Sequence, residues 1–360
     1  MVVICPGFVT FWSQDREPIL IDWVTAQIPC QHSEKITGGQ VASIKPDGEI
    51  EWRIDKRKII TGSHESTISV RSKSPLILDV EGNPAKWLQG HNLFGTDNLI
   101  GLMNSTMERL SNILGLQPSD EDRVAWTAGT YHLSRVDCTA MWELPRRADV
   151  RAWLRAAELQ SKSRHGRPVT RGSTLYFGKN SRRWSLKFYA KGDELEAREK
   201  NHRLPQRIQN RDKLHDWADN KLRGELTLRG MQLKKLANLD IASNWEPNVP
   251  MKLLLEHIKT LQMAEQFTLT PTLLDGLPGR LVAVYKLWLD GEDLRGMYSR
   301  ATFYRYRAEL LKKGIDINVR QPPKTGNVIP LVRVLRPEAI AQVPDWAIGT
   351  PLYFEPRRVA

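Results

Sequence analysis

The segment RWSLKFYAKG (183–192) places a tyrosine among lysines, with apolar and polar residues alternating. At a strand's period of two, Trp184, Leu186, Phe188 and Ala190 take one face, and Ser185, Lys187, Tyr189 and Lys191 take the other. A phenol between ammonium groups suits attack on a phosphate. A free phenol, with a pKa of about 10, is a poor nucleophile at neutral pH. Neighbouring cations favour its phenolate and also hold an anionic substrate. Attack on a DNA phosphate through Tyr189 would leave a 5′-phosphotyrosine link and a free 3′-hydroxyl, conserving the ester for later rejoining. The plainer reading of Tyr189 is a half-buried strand tyrosine, the commoner fate of that residue type.

Such attack calls for a metal to offset phosphate charge. The carboxylates that sequence pattern offers are Asp79, Asp137 and Glu225. In YHLSRVDCTAMWEL (131–144), Asp137 shares a face with Leu133, Arg135, Thr139 and Met141; in LRGELTLR (222–229), Glu225 shares one with Arg223, Thr227 and Arg229. Each could equally be paired with a neighbouring arginine. As hard oxygen donors they suit Mg2+ or Mn2+. His91 is the histidine candidate, because the loop GHNLFG delivers it with Asn92 to a helix start, where anions bind well. His132 falls on the face opposite Asp137 and reads as structural. No HxH pair exists, and the remaining histidines lack ligand spacing.

These residues need a sheet to hold them. IDWVTAQI (21–28) reads as a strand, QVASIKPDGEIEWRID (40–55) as a hairpin with Ile50, Trp52 and Ile54 on one face, and PLILDV (75–80) as a strand with Leu76, Leu78 and Val80 on one side. A helix is predicted over 98–114, capped by Thr96 or Asp97, with Met103, Met107, Leu110 and Leu114 inward. Another is predicted over 148–161. KSRHGRPVTR (162–171) is a basic turn-rich loop, either solvated or touching phosphate. STLYFG and RRWSLKFYAKG pair across residues 179–181, and a helix over 205–220 leads to LRGELTLR. ANLDIASNWEPNVP (237–250) is the best linker. Beyond it, GRLVAVYKLWLDGEDL followed by SRATFYRYRAELLKKG reads as a helix-turn-helix, with Ser299 as cap and Gly314 as terminator. Ala301, Tyr304, Ala308 and Leu311 would pack inward, leaving Arg300, Thr302, Phe303, Arg305 and Arg307 for DNA; an ordinary helical hairpin is the alternative. The expected architecture is α+β: a central antiparallel sheet with helices on one face and a groove on the other, then a small helical domain. The divisions are 1–20 as a non-core extension, 21–240 as a nuclease domain and 241–360 as a DNA-binding domain.

With 360 residues, 41% of them hydrophobic, the chain can bury a sizeable core. Lysine and arginine exceed aspartate and glutamate by 53 to 41, a net charge of +12 that favours a polyanionic partner. Three scattered cysteines (5, 30 and 138) make no CxxC pair, which argues against a zinc knuckle or disulfide framework and fits a reducing cytoplasm. Nothing approaches a membrane span, and residues 1–11 lack the basic flank of a signal peptide.

The blocks NPAKWLQGHNLFGT, LSRVD, FYAKGDEL and NVIPLVRVL stand in this order and resemble the filamentous-phage gene II replication initiators and related plasmid rolling-circle initiators. The likeness runs from about residue 21 to about residue 346. It implies an origin-specific nickase and strand transferase in which Tyr189 is the nucleophile and Lys191 holds the phosphate or leaving group. His91, Asp137 and Glu225 match the family's polar positions; Asp79 is the weaker candidate. The two-histidine strand motif of the broader superfamily is replaced here by QGHN. The resemblance further implies Mg2+ or Mn2+, double-stranded origin DNA, displaced single-stranded DNA, and a host helicase and polymerase as partners, with no membrane. The DNA contacts expected are Lys187, Asn92, Arg135, Arg223 and Arg229 on the sheet, and Arg300, Thr302, Arg305 and Arg307 in the C-terminal helices. A non-catalytic origin-binding regulator is the runner-up, and a mobilisation relaxase is a third option.

Overall fold

A computed structural model describes residues 19–163, 166–197, 202–263, 267–268, 278–289, 292–313, 315–318, 328–329 and 331–355. The 1–18 part of the expected extension, residues 164 and 165 of the basic loop, and Gly314 as a helix stop lie outside the described residues. The strands are β1 (Leu20–Pro29), β2 (Gln40–Ile44), β3 (Ile50–Asp55), β4 (Lys58–Thr61), β5 (Thr67–Ser74), β6 (Ile77–Gly82), β7 (His132–Glu143), β8 (Ser161–Lys162), β9 (Val169–Arg171), β10 (Thr174–Phe177), β11 (Trp184–Ala190) and β12 (Lys221–Arg229). Nine of them form one sheet in the order β4-β5-β6-β1-β7-β12-β11-β10-β9. Every pairing in it is antiparallel.

One face of this sheet is apolar, as alternation predicts. Val136, Cys138, Ala140 and Trp142 of β7 join Leu222, Leu226 and Leu228 of β12 and Leu186 and Phe188 of β11 in the main core. Gly224 is required there. A Cβ at that position would lie 2.7 Å from the Trp142 ring and 2.9 Å from Phe188. The helices α1 (Pro84–Gln89), α2 (Leu99–Leu114), α3 (Asp120–Ala128) and α4 (Arg147–Gln160) precede β8. α2 contributes Leu102, Met103, Met107 and Leu110 to this core and α4 contributes Val150, Trp153 and Ala157. Trp153 meets Phe188 at a ring-centroid distance of 5.2 Å. The cap of α2 is Asn98 rather than Thr96 or Asp97, its side chain accepting from the Gly101 amide. α3 begins with a capping box of Ser119 and Asp122.

Four helices follow: α5 (Lys191–Leu195), α6 (Arg211–Asp219), α7 (Gly230–Lys235) and α8 (Val249–Lys259). α8 buries Leu253 and Leu254 in the main core, so it belongs to the sheet layer. On the opposite face a smaller core covers one end of the sheet. It joins Leu93, Phe94, Met141, Leu214 and Ala218 to Val343 and Leu352. The hairpin of β2 and β3 forms as expected, but its shared face is solvent-exposed and lies outside the nine-stranded sheet.

Toward the C-terminus, α9 (Gly279–Leu289), α10 (Leu294–Met297) and α11 (Arg300–Leu311) enclose their own core, with Val284, Trp288, Leu294, Phe303, Leu310 and Ile317. Ser299 caps α11 as expected, accepting from the Thr302 amide. The inward stripe is displaced by one position: Phe303 and Leu310 are buried, whereas Tyr304 and Leu311 are exposed. Burying a phenylalanine outweighs burying Ala301 and Ala308, and the helix turns accordingly. The expected division at 240/241 does not follow the packing. α8 and residues 335–352 return to the two cores of the sheet, leaving α9 to α11 as the separate unit.

Candidate active-site face of the sheet

Opposite the main core, cross-strand pairing sets polar side chains in rows. One row crosses β10, β11, β12 and β7 as Tyr176, Lys187, Glu225 and Thr139. The next crosses β11, β12, β7 and β1 as Ser185, Thr227, Asp137 and Trp23. A third aligns Arg229, Arg135 and Thr25. On the far side of the first row stand Tyr189, Arg223 and Met141. Met141 belongs to the smaller core, so that last row is the covered one.

Tyr189 therefore stands on the polar face, as alternation predicts, but it is 5% exposed rather than open to a groove. Its hydroxyl donates to Glu225 Oε2 at 3.5 Å. Lys187 Nζ lies 5.6 Å from the ring centroid and the Arg223 guanidinium 6.0 Å. Burial pushes the phenol well above its ordinary range and outweighs the opposing pull of Arg223. The expectation that flanking cations yield a phenolate is corrected: at rest this phenol keeps its proton. Lys191 is not a strand residue beside it, because β11 ends at Ala190 and α5 begins. Its ammonium is buried, donates to Asn92 Oδ1 at 3.2 Å and pairs with Glu194, and burial lowers its pKa to about 8.

Glu225 is buried with Oε1 2.7 Å from Lys187 Nζ. Burial raises its carboxyl to about 7, with the charges of Asp22 and Asp137 adding to the effect and Lys187 opposing it. Asp137 is held by Arg135 through a fork of 2.8 and 2.6 Å. Arg135 in turn lies 5.1 Å from the Trp23 ring centroid. Arg229 is half-buried beside the Ser185 hydroxyl at 3.4 Å.

Other candidates fall elsewhere. His91 is 1% exposed with both ring nitrogens engaged. Nδ1 accepts from the Leu93 amide at 3.2 Å, and Nε2 donates to the Leu352 carbonyl at 2.8 Å. Burial depresses its pKa to about 3. It pins the C-terminal segment and has no lone pair left for a metal. Asp79 is paired with Arg71 at 2.9 Å on β6, opposite Gln27, whereas Asp137 stands opposite Trp23 further along β1. Arg223, expected to touch DNA, is fully buried and paired with Asp22 at 2.8 Å. Asn92 donates to the same carboxylate at 2.9 Å and its carbonyl accepts from Arg223. Leu133 leaves the polar face, because a register shift passes over Ser134 and turns it into the main core. In the C-terminal helices Arg300 and Arg305 are exposed and Thr302 is half-buried. Arg307 is forked onto Asp316 at 2.7 and 2.8 Å.

Asp22 escaped the sequence reading. Simple alternation sends it to the apolar side with Val24 and Ala26. A bulge between Ile21 and Trp23 turns it instead onto the polar face. There it meets Arg223, Asn83 and Asn92, and its carboxyl sits below the usual range: burial pushes it up, and Arg223 with the Asn92 hydrogen bond more than offsets that. Among the described residues no three His, Cys, Asp or Glu side chains converge as a metal-ligand set. Asp137 and Glu225 are the pair on adjacent strands, Asp137 balanced by Arg135 and Glu225 by Lys187 with Arg223 further off at 3.9 Å. Among the described residues no helix is long and apolar enough to cross a membrane.

A family model for the N-terminal region of the gene II replication-associated protein matches residues 20–248, and the model for its C-terminal region matches residues 279–356. The gene II replication-associated protein of Enterobacteria phage I2-2 is 44% identical over 323 residues, covering 88% of this chain and 93% of the relative. The solved structure of a rolling circle replication initiator protein from Geobacillus stearothermophilus is 11% identical and overlaps 70% of this chain and 89% of its own, with a TM-score of 0.32, too loose to define a shared fold. With both of its parts matched in order and a relative of this identity spanning nearly the whole of it, the chain belongs to the family of phage gene II replication-associated proteins.

Proposed function

We propose that the chain starts rolling-circle replication by nicking one strand of double-stranded origin DNA with Tyr189. The phenol oxygen attacks the scissile phosphorus, a Tyr–O–P bond forms, and the P–O3′ bond breaks. Glu225 takes the phenol proton and returns one to the departing 3′-oxygen. The observation that carries this reading is the Tyr189–Glu225 hydrogen bond, since a carboxyl raised to about 7 is matched to proton transfer near neutrality. Lys187, half-buried over the ring, is the cation that would swing to the phosphate, and Arg135 and Arg229 extend the positive face. Lys191 acts as a positioning residue through Asn92 and Glu194.

With Glu225 serving as the proton acceptor, Asp137 is the carboxylate that would hold a hard divalent cation, because Mg2+ is commonly held by one or two carboxylates with substrate phosphates completing the shell. Mg2+ or Mn2+ bound there would offset phosphate charge. Host polymerase would extend the 3′-end while a host helicase displaces the strand, and the initiator would then cut again and seal the single-stranded circle. The test is a denaturing gel of supercoiled origin DNA incubated with protein and Mg2+ or Mn2+. Wild type is expected to leave nicked DNA with protein attached. Tyr189→Phe is expected to lose both products and still bind the origin. A wild-type chain that binds the origin and never nicks it would instead be a non-catalytic regulator.

A further inference from the structure

The polar face holds two aromatic side chains that the nicking chemistry does not use. Trp23 on β1 and Tyr176 on β10 are both half-buried. They lie at opposite ends of the two adjacent rows that contain Asp137 and Glu225. Four strand-to-strand steps separate them, about 19 Å at the usual inter-strand spacing. Each ring has a cation over it. Arg135 is 5.1 Å from the Trp23 centroid, and Lys179 is 5.3 Å from that of Tyr176. Arg171, exposed on β9 opposite Thr174, adds charge at the Tyr176 end, and Arg229 adds it beside Arg135. The two carboxylates between the rings are already neutralised by Arg135 and Lys187.

We infer that Trp23 and Tyr176 are stacking platforms for two unpaired bases of a single DNA strand drawn across this face, one on each side of the Lys187–Glu225 pair. The inference rests on the proposed nicking face and names its ligand form: an unpaired strand, since bases inside a duplex have no free ring face to offer. A stacked base would displace these cations from over the rings, leaving them to serve the phosphates on either side of it. Base–aromatic stacking is tolerant of sequence, so these platforms position the strand and leave origin choice to other contacts.

The test is fluorescence anisotropy of the full chain with a labelled single-stranded oligonucleotide, run in a chelator so that binding is read without cleavage. Trp23→Leu and Tyr176→Leu are each expected to weaken binding about 5- to 100-fold, for oligo-dT as for mixed sequence. Trp23→Tyr and Tyr176→Phe keep a ring and are expected to bind close to wild type. Thermal melts confirm that each variant is folded. Leucine variants that melt normally and bind the single strand as wild type does would overturn the proposal. So would a Tyr176→Phe chain as weak as Tyr176→Leu, which would assign the phenolic hydroxyl rather than the ring. The nicking assay on the same preparations stands apart: failure of Tyr189→Phe to stop nicking would sink the nucleophile assignment and leave these binding results intact.

Discussion

Glu225 is buried between a phenol and an ammonium, and the charges of Asp22 and Asp137 help to keep its proton affinity high. As a base it works only when ionised, so the rate of strand cleavage is expected to rise as pH passes through about 7. Glu225→Gln should lower the rate and flatten that rise; a mutant that keeps the wild-type pH profile would remove Glu225 from the proton path. Asp22 acts differently. It is the carboxylate opposite Arg223, whose guanidinium is 0% exposed. Asp22→Ala would leave that charge buried without its nearest carboxylate, facing the Asn92 carbonyl and the more distant Glu225, and is expected to cost about 3–5 kcal/mol in urea unfolding. Of these residues, sequence pattern picked out Tyr189, Asp137 and Glu225, because each sits at a regular alternation position of a strand. Asp22 was invisible, because one inserted residue in β1 reverses its face, and no local composition marks that bulge. His91 was misassigned for a related reason: its partner carbonyl lies 261 residues away at Leu352.

At the scale of elements, period-two patterning was legible wherever a strand has one apolar side, as in β7, β11 and β12. Helix limits were legible to within a residue or two for α2 and α4, through periodicity and caps. What failed was rotation about an axis. The sequence of α11 offers two apolar stripes one position apart, and only packing against α9 and α10 selects the one containing Phe303 and Leu310. Phe303→Ala is accordingly expected to destabilise the C-terminal helical unit by about 3–5 kcal/mol, whereas Tyr304→Ala, at an exposed site, should cost little. Ser299→Ala removes the hydroxyl that accepts from the Thr302 amide and should cost about 1 kcal/mol. Amide hydrogen exchange resolved by residue would separate these effects, because each should speed exchange in α9 to α11 and leave the protected strands β7 and β12 as they are. Equal losses for Phe303→Ala and Tyr304→Ala would contradict the observed rotation of α11.

At the scale of the whole molecule, the chain closes on itself. After the helical unit it returns along β7, with the Ala341 amide donating to the Met141 carbonyl at 2.7 Å and the Trp142 indole to the Arg336 carbonyl at 3.1 Å. It then crosses to the His91 loop, where the Phe354 amide donates to Gln89 Oε1 at 2.9 Å. Ile340, Val343 and Leu352 are buried along the way, each contributing roughly 1.5–3 kcal/mol of apolar burial. Truncation after residue 334 is therefore expected to lower the melting temperature of the sheet as well as to shorten the chain. His91 reports this closure through pH. Its folded pKa, pushed down to about 3 by burial, lies below the ordinary 6.5 of an unfolded histidine. Between those values the unfolded chain binds the extra proton, so the contribution is full above about 6.5 and is lost as pH falls toward 3. Glu225, raised from 4.5 to about 7, contributes in the opposite sense across part of that window, so wild-type stability alone mixes the two. The difference in unfolding free energy between wild type and His91→Gln isolates the histidine: it should shrink as pH drops from about 6.5. In the truncated chain, with the Leu352 carbonyl gone and the ring opened to water, the same substitution should show no such slope; an unchanged slope there would mean that the loop buries His91 without the C-terminal segment.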